Sequence, residues 1–303
     1  MQSKTYERAK KFVYRNARPL DIARFQYHFE GGSQELVLAA LGAYQNADGG
    51  FGHALELDSW NPNSSPVQTW VATEILKEVQ FTDKGHPVIQ GILKYLESGA
   101  DFNGHVWFNT VRTNNDFPHA PWWHHESDTT EYAPTAALAG FALAYADKDS
   151  KLYVIATQIA KEAMDSYDNA SMYRDMQLAL CYMRLYEYAE FAGLASPEYS
   201  ILKERLRRHA KTCITNKVED WDSGYIGRPS QLFCSPGSVF YLDNKEAADY
   251  ECRYIINTQR SDGSWLIQWK WRETTEEWAI TKNWWKAHMA VLNLLYLKGF
   301  GKV

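Results

Sequence analysis

The densest run of reactive side chains in this sequence is Pro118-His119-Ala120-Pro121-Trp122-Trp123-His124-His125-Glu126-Ser127-Asp128. Three histidines and two carboxylates so close together can exchange protons or ligate a metal. The spacing matches no zinc signature, and adjacent His124 and His125 cannot easily face one site on regular backbone. A structured pocket rim without metal is the preferred expectation. Trp122 and Trp123 suit stacking on a ligand ring or closing a cavity. Asp128, Glu126, His125 and His119 are the catalytic candidates of this run.

A second group is His53-Ala54-Leu55-Glu56-Leu57-Asp58. On an extended segment Glu56 and Asp58 point the same way. With Glu126 or Asp128 they would supply the two carboxylates that glycoside hydrolysis uses; surface acids are the alternative. A third group is Trp265, Trp269 and Trp271, with Trp278 beyond. Their period of two predicts one aromatic ledge, of the kind that holds sugar faces or stabilises cations; packing in the core is the alternative. His53, Trp269, Trp271 and Tyr225 join Trp122 and Trp123 as substrate-binding candidates. No phosphate loop, nucleotide fingerprint or serine elbow occurs, and no cofactor is expected.

Helices must position these groups. Apolar periodicity predicts about eleven, over 4–17, 20–29, 33–45, 66–80, 86–97, 132–146, 150–165, 173–191, 198–215, 245–258 and 283–298. Ser33 and Pro66 are start signals. Residues 263–271 could form one isolated strand. Long connections at 46–65, 99–130, 216–244 and 260–282 carry Trp, His and Pro, which marks them as functional loops rather than disordered ones. No linker divides the chain, so one domain over 1–303 is expected.

The 303 residues are 45% hydrophobic and 23% charged, enough for a self-sufficient core. The net charge of −5 gives no footprint for nucleic acid. Cys181, Cys213, Cys234 and Cys252 form no CxxC pair, so reduced thiols are expected. No apolar leader and no run of about 18 apolar residues is present, so the expectation is a cytoplasmic protein without a membrane span. Its partner would be a small-molecule or oligosaccharide substrate.

One turn signal occurs twice: Gln45-Asn46-Ala47-Asp48-Gly49-Gly50-Phe51 and Gln259-Arg260-Ser261-Asp262-Gly263-Ser264-Trp265. Asn103-Gly104-His105-Val106-Trp107 and Asp222-Ser223-Gly224-Tyr225 are weaker copies. A repeat of this kind predicts stacked helical hairpins. The two strong copies resemble the QW-type repeats of the squalene/hopene cyclase and protein prenyltransferase superfamily. That resemblance implies an all-α fold, a single α/α toroid of about six hairpins with an aromatic cavity. The stretches 51–56 and 118–123 are also similar to bacterial proteins labelled only prenyltransferase-like.

Within this resemblance, Glu126-Ser127-Asp128-Thr129-Thr130 resembles the acid motif of class II terpene cyclases, with Asp128 in the place of the proton donor. It departs at Glu126 and Thr129. Capping of the next helix by Asp128 or Thr130 is the alternative. Prenyltransferase β-subunits would bring zinc, for which Cys234 and His288 are loose candidates; a satisfied core histidine is the preferred reading of His288. The expectations are a terpenoid cyclase-like enzyme using acid chemistry on a large apolar or ringed substrate, a carbohydrate-active hydrolase or lyase, or a non-catalytic binder.

Overall fold

Capping residues fix where the helices of this chain begin. The computed structural model describes residues 3–128, 131–167, 175–215, 218–222, 226–272 and 275–303. In it the Ser3 side chain accepts from the Tyr6 N–H, Ser65 from Gln68, Asp175 from Gln177 and Leu178, and Thr275 from Trp278. Each bond satisfies a donor that the first helical turn leaves free. Pro66 stands at the first position of the turn that Ser65 caps, and Pro19 and Pro87 open two further first turns, where a missing N–H costs nothing.

The chain is all-α. Its helices are α1 (Lys4–Asn16), α2 (Pro19–Phe29), α3 (Gln34–Gly42), α4 (Pro66–Glu78), α5 (Pro87–Ser98), α6 (Thr135–Tyr145), α7 (Lys151–Ser166), α8 (Met176–Phe191), α9 (Pro197–Cys213), α10 (Lys245–Thr258) and α11 (Glu276–Gly299). The periodicity places all of these, with one large difference. The last helix starts seven residues before the expected position 283, because Thr275 caps it and Glu276 and Glu277 suit its first turn. Residues 263–271 form no strand; among the described residues only isolated bridges occur.

The helices group into two compact units. A central unit comprises Leu41–Arg208, and a terminal unit comprises Met1–Ala40 with His209–Val303. In the central unit α6 is buried along its whole length and packs on α4, α5, α7 and α8. Its sequence TAALAGFALAY carries no charge, so no face of it needs water. In the terminal unit α1 packs on α2 and α11 around Tyr6, Val13, Phe25, Ile255, Trp265 and Leu294. Asp21 is fully buried there, 3.1 Å from Arg18 and 2.8 Å from Arg24. His288, also 2.9 Å from Asp21, is a satisfied histidine of this cluster rather than a free metal ligand. Burial and then the Arg24 charge hold its pKa below the usual value.

The two strong copies of the turn share their hydrogen bonds, one copy in each unit. Gln45 Nε2 donates to the Gly49 carbonyl at 2.9 Å and to Val88 of α5 at 3.1 Å. Gln259 Nε2 donates to Gly263 at 3.2 Å and to Thr5 of α1 at 2.9 Å. Asp48 Oδ1 accepts from the Gly50 N–H, and Asp262 Oδ1 from the Ser264 N–H, each at 2.9 Å. Gly49 and Gly263 have φ of +96° and +97°. A Cβ on Gly49 would meet the Gly91 carbonyl oxygen at 2.1 Å, and one on Gly263 would meet that of Arg8 at 2.2 Å. In each copy the second carbonyl stands three residues after the one that the glutamine grips. The repeat is therefore a docking clamp on the first turns of a neighbouring helix. The third copy keeps the Asx turn, with Asn103 Oδ1 accepting from His105 and Val106, but has Ala100 in the glutamine's place. The fourth copy lies largely outside the described residues.

Candidate functional site

The clamp at Gln45 launches residues 43–65, a loop that crosses a second loop, 99–128, within the central unit. The two are joined by backbone bonds from Trp60 N to Pro118 O at 2.9 Å and from Ala120 N to Asp58 O at 2.8 Å, flanking an antiparallel Ser59–His119 bridge. Asn61 is the hub. It is fully buried, and its Nδ2 donates to Thr113 Oγ1 and Asn114 Oδ1, both at 2.9 Å. Its Oδ1 accepts from the Asn63 backbone and side chain, and its carbonyl accepts from His53 N and Gln68 Nε2. Asn114 passes the connection on to the Trp123 carbonyl at 2.9 Å. Buried amides used this fully hold one arrangement of backbone.

The weld joins Glu56 of the first loop to Trp123 of the second, and the second loop pairs further candidates within itself. Trp123 is buried and its indole N–H donates to Glu56 Oε1 at 3.3 Å. Trp122, its neighbour on the single 3-10 turn Pro121–Trp123, is 46% exposed. His119 and His124 lie with ring nitrogens 3.2 Å apart. His125 is anchored through its backbone to Asn115 and through Nδ1 to Thr110, and its Nε2 stands 3.7 Å from Asp128. The Asp128 side chain is 51% exposed, and Glu126 is exposed as well. His53 is exposed and lies 2.9 Å from Asn46 Oδ1.

Three expectations about geometry change. Glu56 and Asp58 do not alternate on an extended strand. Bonds from Leu55 N to Gly52 O and from Ser59 N to Glu56 O fold the segment into turns, and His53 and Ala54 have φ of 59° and 60°. Two successive non-glycine residues in the left-handed region cost about 1–2 kcal/mol each, and the surrounding bonds must hold them there. Asp58 is only 2% exposed and belongs to the frame rather than to the face. The ledge at 265–271 keeps its period of two but turns inward: Trp265, Ile267 and Trp271 are buried, while Leu266 is exposed. Trp271 stacks on Trp278, and Trp269 sits edge-on to Trp285. Tyr225, Thr129 and Thr130 lie outside the described residues.

Three residues of this region stand outside the candidate list. Asn61 and Asn114 read as ordinary loop asparagines; Asn61-Pro62-Asn63 was a turn signal that could have drawn attention to the first. Asp101 was the other. It accepts from the Tyr95 hydroxyl at 3.1 Å. Burial raises its pKa above the usual carboxylate range, with Asp48 and Asp128 adding to the rise and Tyr95 and His125 opposing it.

Among the described residues no group of three or more His, Cys, Asp or Glu is arranged to hold a metal ion. The four cysteines are free thiols, and Cys234 is exposed. No described helix is long and apolar enough to cross a membrane. Comparison with protein-family models, with curated proteins and with solved structures finds no match for this chain.

Proposed function

We propose that the face formed by the two welded loops binds a carbohydrate, with the Trp122 indole as the platform for a sugar ring. The observation that carries this reading is the exposure of Trp122 on a turn whose neighbours are pinned on both sides. Trp123 is fastened beneath through Glu56 and Asn114, and Ala120 through Asp58. A rigid, half-exposed indole, with the exposed His124, Glu126 and Asp128 following in the same segment, offers an apolar plane and several hydrogen-bonding groups. A pyranose ring presents the complementary pair, an apolar face and a rim of hydroxyls.

The exposure of Asp128 favours this reading over alkene protonation. An acid strong enough to protonate an alkene has to be held neutral and dry, whereas Asp128 is in water beside a histidine. The repeated turn supports the terpenoid-cyclase and prenyltransferase architecture for the chain. Within it, this face supports a polar ringed ligand. If the protein is a hydrolase, Glu56 with Glu126 or Asp128 is the carboxylate pair to test.

The experiment is a titration of the full chain with a panel of malto-, cello-, xylo- and chito-oligosaccharides, followed by saturation-transfer NMR, with farnesyl diphosphate as a separate arm. At least one oligosaccharide series should bind. Trp122→Ala should weaken that binding about tenfold or more, the loss of about 1.4 kcal/mol or more of ring contact. Binding of farnesyl diphosphate with no oligosaccharide bound would sink the carbohydrate reading.

A further inference from the structure

His119 and His124 carry a consequence that depends only on their hydrogen bonds. His119 Nδ1 lies 2.6 Å from the Phe117 carbonyl oxygen. A carbonyl can only accept, so His119 Nδ1 carries the hydrogen, and in the neutral ring Nε2 is the lone-pair nitrogen. That Nε2 faces His124 Nδ1 at 3.2 Å. Two lone pairs cannot face each other at that distance; a proton or a cation must lie between them. Two imidazoles bound to one zinc ion at about 2.0–2.1 Å each would stand similarly far apart. The absence of any third His, Cys, Asp or Glu ligand grouped with them, among the described residues, favours the proton.

We infer that His124 is held as the Nδ1–H tautomer by His119, so that its Nε2 lone pair is a proton acceptor on this exposed face, two residues along the chain from Trp122. His119 is the positioning residue. Its own backbone is fixed by the bridge to Ser59 and by the bonds on either side of it. When a bound hydroxyl gives up its proton, the ligand O–H bond breaks and an N–H bond forms at His124 Nε2. The electron pair stays on the ligand oxygen. The resulting imidazolium keeps its Nδ1–H bond to His119, as an oriented histidine base requires. The role toward a ligand rests on the carbohydrate reading; the tautomer does not.

The test is long-range nitrogen–proton NMR on the full chain labelled with 15N-histidine, at a pH where the rings are neutral. Both His119 and His124 should show a protonated Nδ1 and an unprotonated Nε2. A His124 ring protonated at Nε2 would overturn the inference. In His119→Phe, His124 should move toward the Nε2–H form at an unchanged melting temperature; an unmoved tautomer would remove His119 from its positioning role. The wild-type spectrum decides the tautomer even if that variant does not fold. Equimolar zinc chloride should leave both rings unshifted, and stoichiometric shifts of the two together would replace the shared proton by a metal site. If the tautomer is found but no oligosaccharide binds, the pair stands and the carbohydrate reading fails.

Discussion

The turns at Gln45 and Gln259 are built alike and lead to opposite outcomes. In both, a glutamine grips its own turn and a neighbouring helix, an aspartate closes an Asx turn, and a glycine lies against a helix carbonyl. After Gly52 the chain enters two left-handed residues and a loop whose backbone pairs with the second loop, the one that carries the exposed Trp122. After Ser264 the Trp265 indole N–H donates to the Ile255 carbonyl at 2.8 Å, and Ile267 and Trp271 go into the core. The clamp therefore organises helices and is neutral as to chemistry. What differs is the path that follows, turns through residues 53–59 after the first copy and an alternating run after the second, and both bury apolar side chains.

The largest test of this equivalence is at the glycines. Gly49→Ala and Gly263→Ala should each cost about 4 kcal/mol or more, since a helix backbone must move to admit the methyl group. Gly104→Ala should cost only about 1–2 kcal/mol, because Gly104 has φ +100° but nothing within 4 Å of a Cβ. Urea unfolding of the three variants checks this. A Gly104 variant as damaged as the Gly49 variant would show that strain, not docking, sets the cost.

The tryptophans come next. Trp265→Ala should lose about 3–5 kcal/mol of stability, whereas Trp122→Ala should stay within about 0.5 kcal/mol of the parent chain. Thermal unfolding of both separates a core tryptophan from a ligand platform. A strongly destabilised Trp122 variant would make that residue structural.

The smallest effect is electrostatic and differs in sign between two aspartates. Burial raises the Asp262 carboxyl, but the Ser264 N–H and hydroxyl, with Lys286 and Arg260, outweigh it and hold the pKa below the usual value. Asp262 thus adds stability above the unfolded value of about 3.9, and that stability is lost as pH falls through the lower folded value. For Asp101 burial wins and the folded value is raised. Its ionisation costs stability once pH rises above about 3.9, and the full cost is present above the raised value. Asp101→Asn should therefore stabilise the chain at pH 7 and lose that advantage in acid, an effect helped by asparagine's tolerance of φ 52°. Asp262→Asn should do the reverse. Urea midpoints at pH 7 and pH 3 decide the signs.

The helices were legible because each is an amphipathic or apolar run and several have their own start signal, as at Ser65-Pro66 and Ser33. The start of α11 was hidden because Trp278 and Ile280 sit in a stretch otherwise rich in charge and threonine. The candidate site was legible as a list of residue types and illegible as an arrangement. Period two at Trp265–Trp271 was real, but periodicity gives a face without saying whether that face meets solvent or core. The acids at Glu56 and Asp58 read as equivalent, yet turns placed one toward Trp123 and buried the other.

What the sequence determined by itself is local: caps, helix periods and the glutamine–aspartate–glycine turn, all written within a few adjacent residues. The tertiary structure alone decided which groups meet. The Asn61 amide reaches Asn114, the Trp123 indole reaches Glu56, and the Ser59 backbone pairs with His119. Those partners are far apart in the chain, and nothing within either segment specifies the other. Only the docking of both loops against a shared helical core, with every buried donor needing an acceptor, selects one pairing from the many that the residue types would permit.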